Sequence, residues 1–399
     1  MTKGLPQCFF PMENIIQDYI WGSRTAISEL LSVDNPDNAH QAEIWMGAHP
    51  NGCSKITNNG ESTLLSDFIN QDKTAVLTEQ TATEFGELPY LFKVLAAGEA
   101  LSVQVHPSKA QAEVGFAKEE AAGIPRTAGN RNYKDPNHKP ELVYALTPYQ
   151  AMNGFREFTQ TIALFEQVNI PVLTDLVAAF TSTPTSKGLE TFFSAILSLQ
   201  GEEKETAVSA LLEYATAHQQ DALFATIVEL AGQHPGDIGL FTPLMLNVIT
   251  LQPGEAMFLY ACTPHAYLKG TGLEIMANSD NVLRAGLTPK YIDVAELVDC
   301  TKFDAIPFDT LQFTPEQKDG GLYYDIPVDD FKFALFESVS NLTVSTQSAE
   351  ILLALDSDVT LTHQDGETVT IHQGQSVFIP AYVETYCLNA AGRVARAFN

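Results

Sequence analysis

Apolar positions along this chain follow two rhythms. Short runs such as "LPYLFKVLAA", "LSVQVH", "PELVYAL", "EAMFLYA" and "HAYLKG" are rich in Val, Leu, Phe and Tyr and bounded by Gly, Pro and Asn. Runs of that kind predict strands of a sandwich or jelly roll rather than alternating β and α units. Between about Phe158 and Gly236 the period lengthens: Phe193, Ile196 and Leu197, then Leu223, Ile227, Leu230 and Ala231, recur at helical spacing. The breaks "NIPVL", "STPTSKG" and "QHPGD" divide this segment into four or so helices. From about Leu311 the strand pattern returns, with "QDGE" as a turn between two strands.

Two stretches repeat one another. "LQPGEAMFLYACTPHAY" and "IHQGQSVFIPAYVETY" each carry a turn glycine, Gly254 or Gly374, and a phenylalanine four residues on, Phe258 or Phe378, in an apolar strand. A G-x-x-x-F turn and strand of this kind recurs in cupin-type jelly rolls (double-stranded β-helices), so two such domains are expected around an all-α insertion. The boundaries read as 1–157 with 237–310 for the first, catalytic domain, 158–236 for the insertion and 311–399 for the second jelly roll. The second copy has no histidine at the place of His265, which marks it as structural. A helix is also legible after "VHP", with Ser108 and Gln111 forming a capping box and Gly123 ending it.

With 399 residues, 45% of them hydrophobic, the chain can bury several cores of ordinary size. Its formal charge of −27 is the wrong sign for nucleic-acid phosphate. Eight basic residues nevertheless lie from Lys93 to Arg156 inclusive, while Glu157 to Leu283 holds only Lys187, Lys204 and Lys269. An anionic ligand would therefore meet a local basic patch inside a repulsive field. No apolar run approaches the length of a membrane span, and the N-terminus lacks a signal-peptide core, so a cytoplasmic protein is expected, without a membrane partner. Five scattered cysteines without a CxxC pair argue against disulfides and against a thiolate zinc site. Oligomeric state stays open, a monomer included.

Candidate chemistry gathers in four short stretches. Gln104 and His106, two apart in a strand, share one face. Glu141 opens the apolar strand "ELVYAL", where a carboxylate needs a cation, and His138 and Lys139 precede it. His265 and Tyr267 again share a face. Gln104, His106, Glu141 and His265 together make a mixed nitrogen and oxygen set with one negative charge, which suits zinc with positions left open for chemistry. His106, His265 and Glu141 alone would suit iron(II), as in a cupin oxygenase. The fourth stretch, "GLEIMANSDNVLRAGLTPKYIDV", reads as an irregular loop carrying Glu274, Asp280, Arg284 and Lys290, groups that a phosphorylated substrate could use.

These residues sit in long motifs: "YIWGS", "AEIWMGAHP", "LPYLFKVLAAGEALSVQVHPSK", "NYKDPNHKPELVYALTPYQAMNGFR", "GEAMFLYACTPHAYLKG" and "EIMANSDNVLRAGLTPKYIDV". In sequence and order they resemble the type I mannose-6-phosphate isomerases (phosphomannose isomerases). The resemblance implies one zinc per chain held by Gln104, His106, Glu141 and His265, with Arg284 in the active site. It implies pocket roles for Ser102, Lys139, Tyr267, Glu274 and Lys290, and places Trp21 and His49 in motifs that face the pocket. The implied reaction, in mannose and carbohydrate metabolism, interconverts D-mannose 6-phosphate and D-fructose 6-phosphate through a cis-enediol. Glu274, His138 and Lys139 are each of the right type for its base. A cupin that binds sugar phosphate without turning it over is the competing reading from another class.

Overall fold

The structure is a computed structural model that describes residues 6–399. Two large antiparallel sheets, of 10 and 11 strands, face one another, and helices pack on the first. The centre of the first sheet is Tyr90–Ala97, buried at every position, paired along its length with the 13-residue strand His265–Ala277. The same long strand also pairs with Glu141–Ala145 through Met276 opposite Glu141. Residues 272–277, expected in a loop, thus belong to the middle of a sheet. Their apolar content looked irregular because Glu274 faces the cleft between apolar neighbours that face the core. Only the part beyond Ala277 forms the expected loop, interrupted by the two-residue strand Leu283–Arg284.

The strand bearing Gln104 is shorter than its alternation suggests, covering only Gln104–Val105. It lies between two partners, Gln104 opposite His265 on one side and opposite Arg284 on the other. His106 follows at the strand end and Pro107, which has no N–H to give, stops the ladder there. The helix Lys109–Ala121 then starts on the expected capping box of Ser108 and Gln111.

The insertion contains five helices over the expected span: Phe158–Val168, Thr174–Ser182, Ser186–Leu197, Gly201–Ala217 and Ala222–Gln233. Their apolar faces share one core with the back of the first sheet, where Phe155 meets Phe193 edge to face at 5.5 Å. Among the described residues no helix is long and apolar enough to cross a membrane.

The repeat is visible in register. Ala256–Leu259 pairs with Glu141–Ala145, placing Phe258 opposite Leu142, and Ser376–Ile379 pairs with Glu350–Ala354, placing Phe378 opposite Ile351. Gly254 and Gly374 both have positive φ, +95° and +80°, the conformation the tight turn requires. The second sheet also recruits strands from the N-terminal part of the chain. Phe10–Glu13 pairs with Ser376–Ile379 on one side and with the hairpin of Lys55–Asn58 and Glu61–Leu64 on the other. Burial explains this: Phe10 packs at 4.7 Å on Phe68, which meets Phe378.

Candidate active site and metal centre

His106, Glu141 and His265 are all buried, and one ligand atom of each lies within 4.8 Å of the others. His106 Nδ1 is 2.7 Å from the carbonyl of Asn281, and His265 Nδ1 is 2.9 Å from that of Thr263. A carbonyl only accepts, so each Nδ1 carries the proton and each Nε2 presents a lone pair. Those lone pairs face the carboxylate of Glu141, His106 Nε2 at 3.3 Å from Oε1 and His265 Nε2 at 3.7 Å from Oε2. His106 Nε2 is buried without a hydrogen-bond partner.

Protonating an imidazole could resolve the clash, but the environment opposes it. Burial, aided by Lys139, pushes His106 down to about 4, and burial also lowers His265. Burial by itself would raise the Glu141 carboxyl; the Lys139 ammonium at 3.1 Å outweighs it and holds Glu141 well below the usual range. Two neutral nitrogen donors and one carboxylate therefore converge with no proton between them, which fits a divalent cation of the borderline class. Gln104 stands beside them by register, its amide nitrogen donating to Ser102 Oγ at 3.2 Å. Tyr267 donates its hydroxyl to Glu141 Oε2 at 2.5 Å and Asn281 orients His106, so the ligands are themselves held.

The cluster lies at the foot of a cleft of about 270 Å³. Gln104, Lys139, Glu141, His265 and Tyr267 line it together with Trp21, Ser102, Glu274, Asp280, Arg284 and Lys290. Trp21 is stacked on Tyr19 at 5.7 Å. Asp280 accepts from Asn51 Nδ2 at 2.7 Å and lies 3.6 Å from His49 Nε2, which puts His49 just behind the wall. Among the described residues no carboxylate lies within ion-pair distance of Arg284 or Lys290, so both offer charge to a ligand.

His138 is not in this cleft. Lys139, in extended backbone ahead of Pro140, points into the cleft, and its neighbour points the other way. His138 Nε2 instead lies 2.9 Å from the carboxylate of Asp330, in a separate cavity. A carboxylate from another part of the chain engages a residue whose type had suggested a catalytic base.

Sequence reasoning missed Lys93 and Glu43. Lys93 Nζ is 2.8 Å from Glu274 and 3.7 Å from Glu43, while Trp45 Nε1 donates to Glu43 at 2.6 Å. Burial works against the Lys93 ammonium, but Glu274 and Glu43 outweigh it and raise its pKa, so the lysine stays charged. The signal was present in "LFKVL" and "AEIWM": one charged residue inside each strand buried at every position.

The family model described as phosphomannose isomerase type I, catalytic domain, matches residues 9–158; its helical insertion domain matches 158–246, and the mannose-6-phosphate isomerase cupin domain matches 322–399. The chain is 49% identical to the mannose-6-phosphate isomerase of Escherichia coli strain K12, covering 97% of this chain and 98% of that protein. The chain belongs to the type I phosphomannose isomerase family. The Homo sapiens member of this isomerase family is 33% identical, with 93% of each chain covered. An alanine variant of the Salmonella typhimurium phosphomannose isomerase superposes with a TM-score of 0.94 at 47% identity, over 98% of this chain and 100% of that one. A zinc-bound mannose 6-phosphate isomerase superposes with a TM-score of 0.93 at the same identity and coverage.

Proposed function

We infer that this protein is a zinc-dependent aldose–ketose isomerase interconverting D-mannose 6-phosphate and D-fructose 6-phosphate. The observation that carries the reading is the convergence of His106 Nε2, His265 Nε2 and the Glu141 carboxylate at the foot of a cleft that also presents Arg284. Gln104 completes the ligand set and adds no charge to it. Zinc, when bound, draws electron density from the sugar oxygens and so acidifies the C–H beside the carbonyl.

The reaction opens the ring, takes the proton from C2 and returns it to C1. Its difficulty is the negative charge that grows on oxygen as the enediol forms. Arg284, partly buried and free of a carboxylate partner, compensates that charge, while Lys290 and Ser102 at the cleft wall receive the phosphate. Glu274 carries the proton between the two carbons; burial raises its carboxyl pKa, and Lys93 at 2.8 Å opposes that rise. Lys139, pinned to Glu141 at 3.1 Å, orients the ligand carboxylate and offers its ammonium to a substrate oxygen. Trp21 and Tyr267 shape the sugar's seat, and Asp280 takes a sugar hydroxyl at the rim.

The division into residues 1–157 with 237–310, 158–236 and 311–399 belongs to the same reading, with residues 10–13 and 55–64 lent to the second sheet. A cytoplasmic location also belongs to it, supported by five unpaired cysteines. The test is a coupled assay on mannose 6-phosphate: chelation should abolish turnover and zinc restore it, in proportion to metal content measured on the same preparation. Undiminished turnover after the metal is stripped, or ligand binding without turnover by zinc-replete protein, would overturn it.

A further inference from the structure

A second group of metal-binding side chains lies on the other sheet. Cys8 precedes the strand Phe10–Glu13, and His363 and Asp365 lie in the loop between Val359–Thr362 and Thr368–Ile371. The Cys8 thiol, a His363 ring nitrogen and an Asp365 oxygen lie within 4.8 Å of one another.

The backbone fixes this meeting. The loop closes with His363 N–H donating to the Glu367 carbonyl at 2.8 Å and with Gly366 at φ +97°. Glu367 then uses both carboxylate oxygens to take the backbone N–H groups of Cys8 at 2.8 Å and Phe9 at 3.0 Å. That pair of bonds sets the buried thiol against the loop.

Inside the cluster one polar atom is left without a partner, while Asp365 Oδ1 accepts the Glu367 N–H at 3.0 Å. His363 Nδ1 is 2.9 Å from Asp365 Oδ1, yet it is buried and no directed hydrogen bond joins the two. Cys8 Sγ is 3.9 Å from Asp365 Oδ2. Ligands of one tetrahedral zinc lie about 3.3–3.8 Å apart, given bonds of about 2.0 Å to nitrogen and oxygen and about 2.3 Å to sulfur. Shifts of at most about 1 Å therefore convert the cluster into a coordination shell.

We propose that Cys8, His363 and Asp365 form a second metal site, separate from the catalytic one, that takes zinc or a similar borderline ion. One thiolate, one imidazole and one carboxylate select such an ion over magnesium or calcium. Water fills the fourth position, because Glu367 is committed to backbone amides. On binding, the sulfur–metal bond replaces the S–H bond and the thiol proton leaves to solvent. The site fastens the segment of Cys8 to a loop near the other end of the chain, so its role is structural. It does not depend on the isomerase reading.

The two sites differ in one readable way, since no sulfur takes part in the catalytic set. Full-length protein stripped of metal is titrated with cobalt(II) and followed by absorption. Two equivalents should bind, and a near-ultraviolet thiolate-to-cobalt charge-transfer band should accompany one of them. Cys8→Ser should abolish the band and His363→Gln should weaken it, both with parental isomerase turnover. His363→Gln lies in a surface loop and serves should Cys8→Ser fold poorly. One equivalent bound with no charge-transfer band, or a band that persists in Cys8→Ser, overturns the site.

Discussion

The two jelly rolls place a buried carboxylate at the same point and treat it in opposite ways. Glu141 and Glu350 each open a five-residue strand buried throughout, and each lies opposite the residue after the repeat phenylalanine, Leu259 or Ile379. Each accepts a tyrosine hydroxyl at 2.5 Å, from Tyr267 or Tyr386. Around Glu141 stand two imidazoles with bare nitrogens. Around Glu350 stands Arg396, with Nε at 2.8 Å and Nη2 at 2.5 Å, its Nη2 also bound to the Ser345 carbonyl. A guanidinium is a cation the chain cannot lose, so the second barrel is neutralised without an ion and has no exchangeable position for a substrate. The first barrel has Lys139 beside its carboxylate at 3.1 Å but keeps two bare imidazole nitrogens for an ion, and chemistry becomes available there.

The sharpest way to break this comparison is Glu141→Gln. Zinc content and turnover should fall together, turnover by on the order of 10⁴-fold, because the only anionic ligand is gone. A zinc-replete, active variant would show that the carboxylate is not the anchor. Next, Arg396→Met should lower stability by about 3–5 kcal/mol, since it strands a buried charge. Denaturant unfolding should show part of that loss recovered in Arg396→Met with Glu350→Gln, and turnover per folded molecule should stay at the parental level. An unchanged unfolding midpoint in the single variant would mean the second barrel does not rely on its internal cation. The smallest effect is expected from Arg284→Ala, the cation that the catalytic barrel keeps free for substrate. A loss of on the order of 10²-fold in kcat marks stabilisation of charge in the transition state, whereas a change confined to KM reassigns it to ground-state phosphate binding.

Much of the fold was legible because period is a local property. Helical spacing from Phe158 to Gly236 marked the insertion, and Gly254 with Phe258 and Gly374 with Phe378 marked the repeat, whose register the strands then displayed. Residues 272–277 were misread because a central strand that also lines a cleft breaks alternation at the functional residue itself. The clustered groups His106, Glu141 and His265 were legible for a related reason, as polar side chains at buried positions.

The sequence alone determined which residues could hold a metal, since ligand chemistry belongs to the side chain. It also determined that the second repeat lacks the histidine at the place of His265. Tertiary structure decided which of them face the same space. It turned Lys139 into the cleft and His138 toward Asp330, although the two are neighbours of similar type. It brought Lys93 and Glu43 to Glu274, and set Arg396 where the first barrel has its imidazoles. Direction and distance depend on how sheets twist and pair across hundreds of residues, and no local pattern records that.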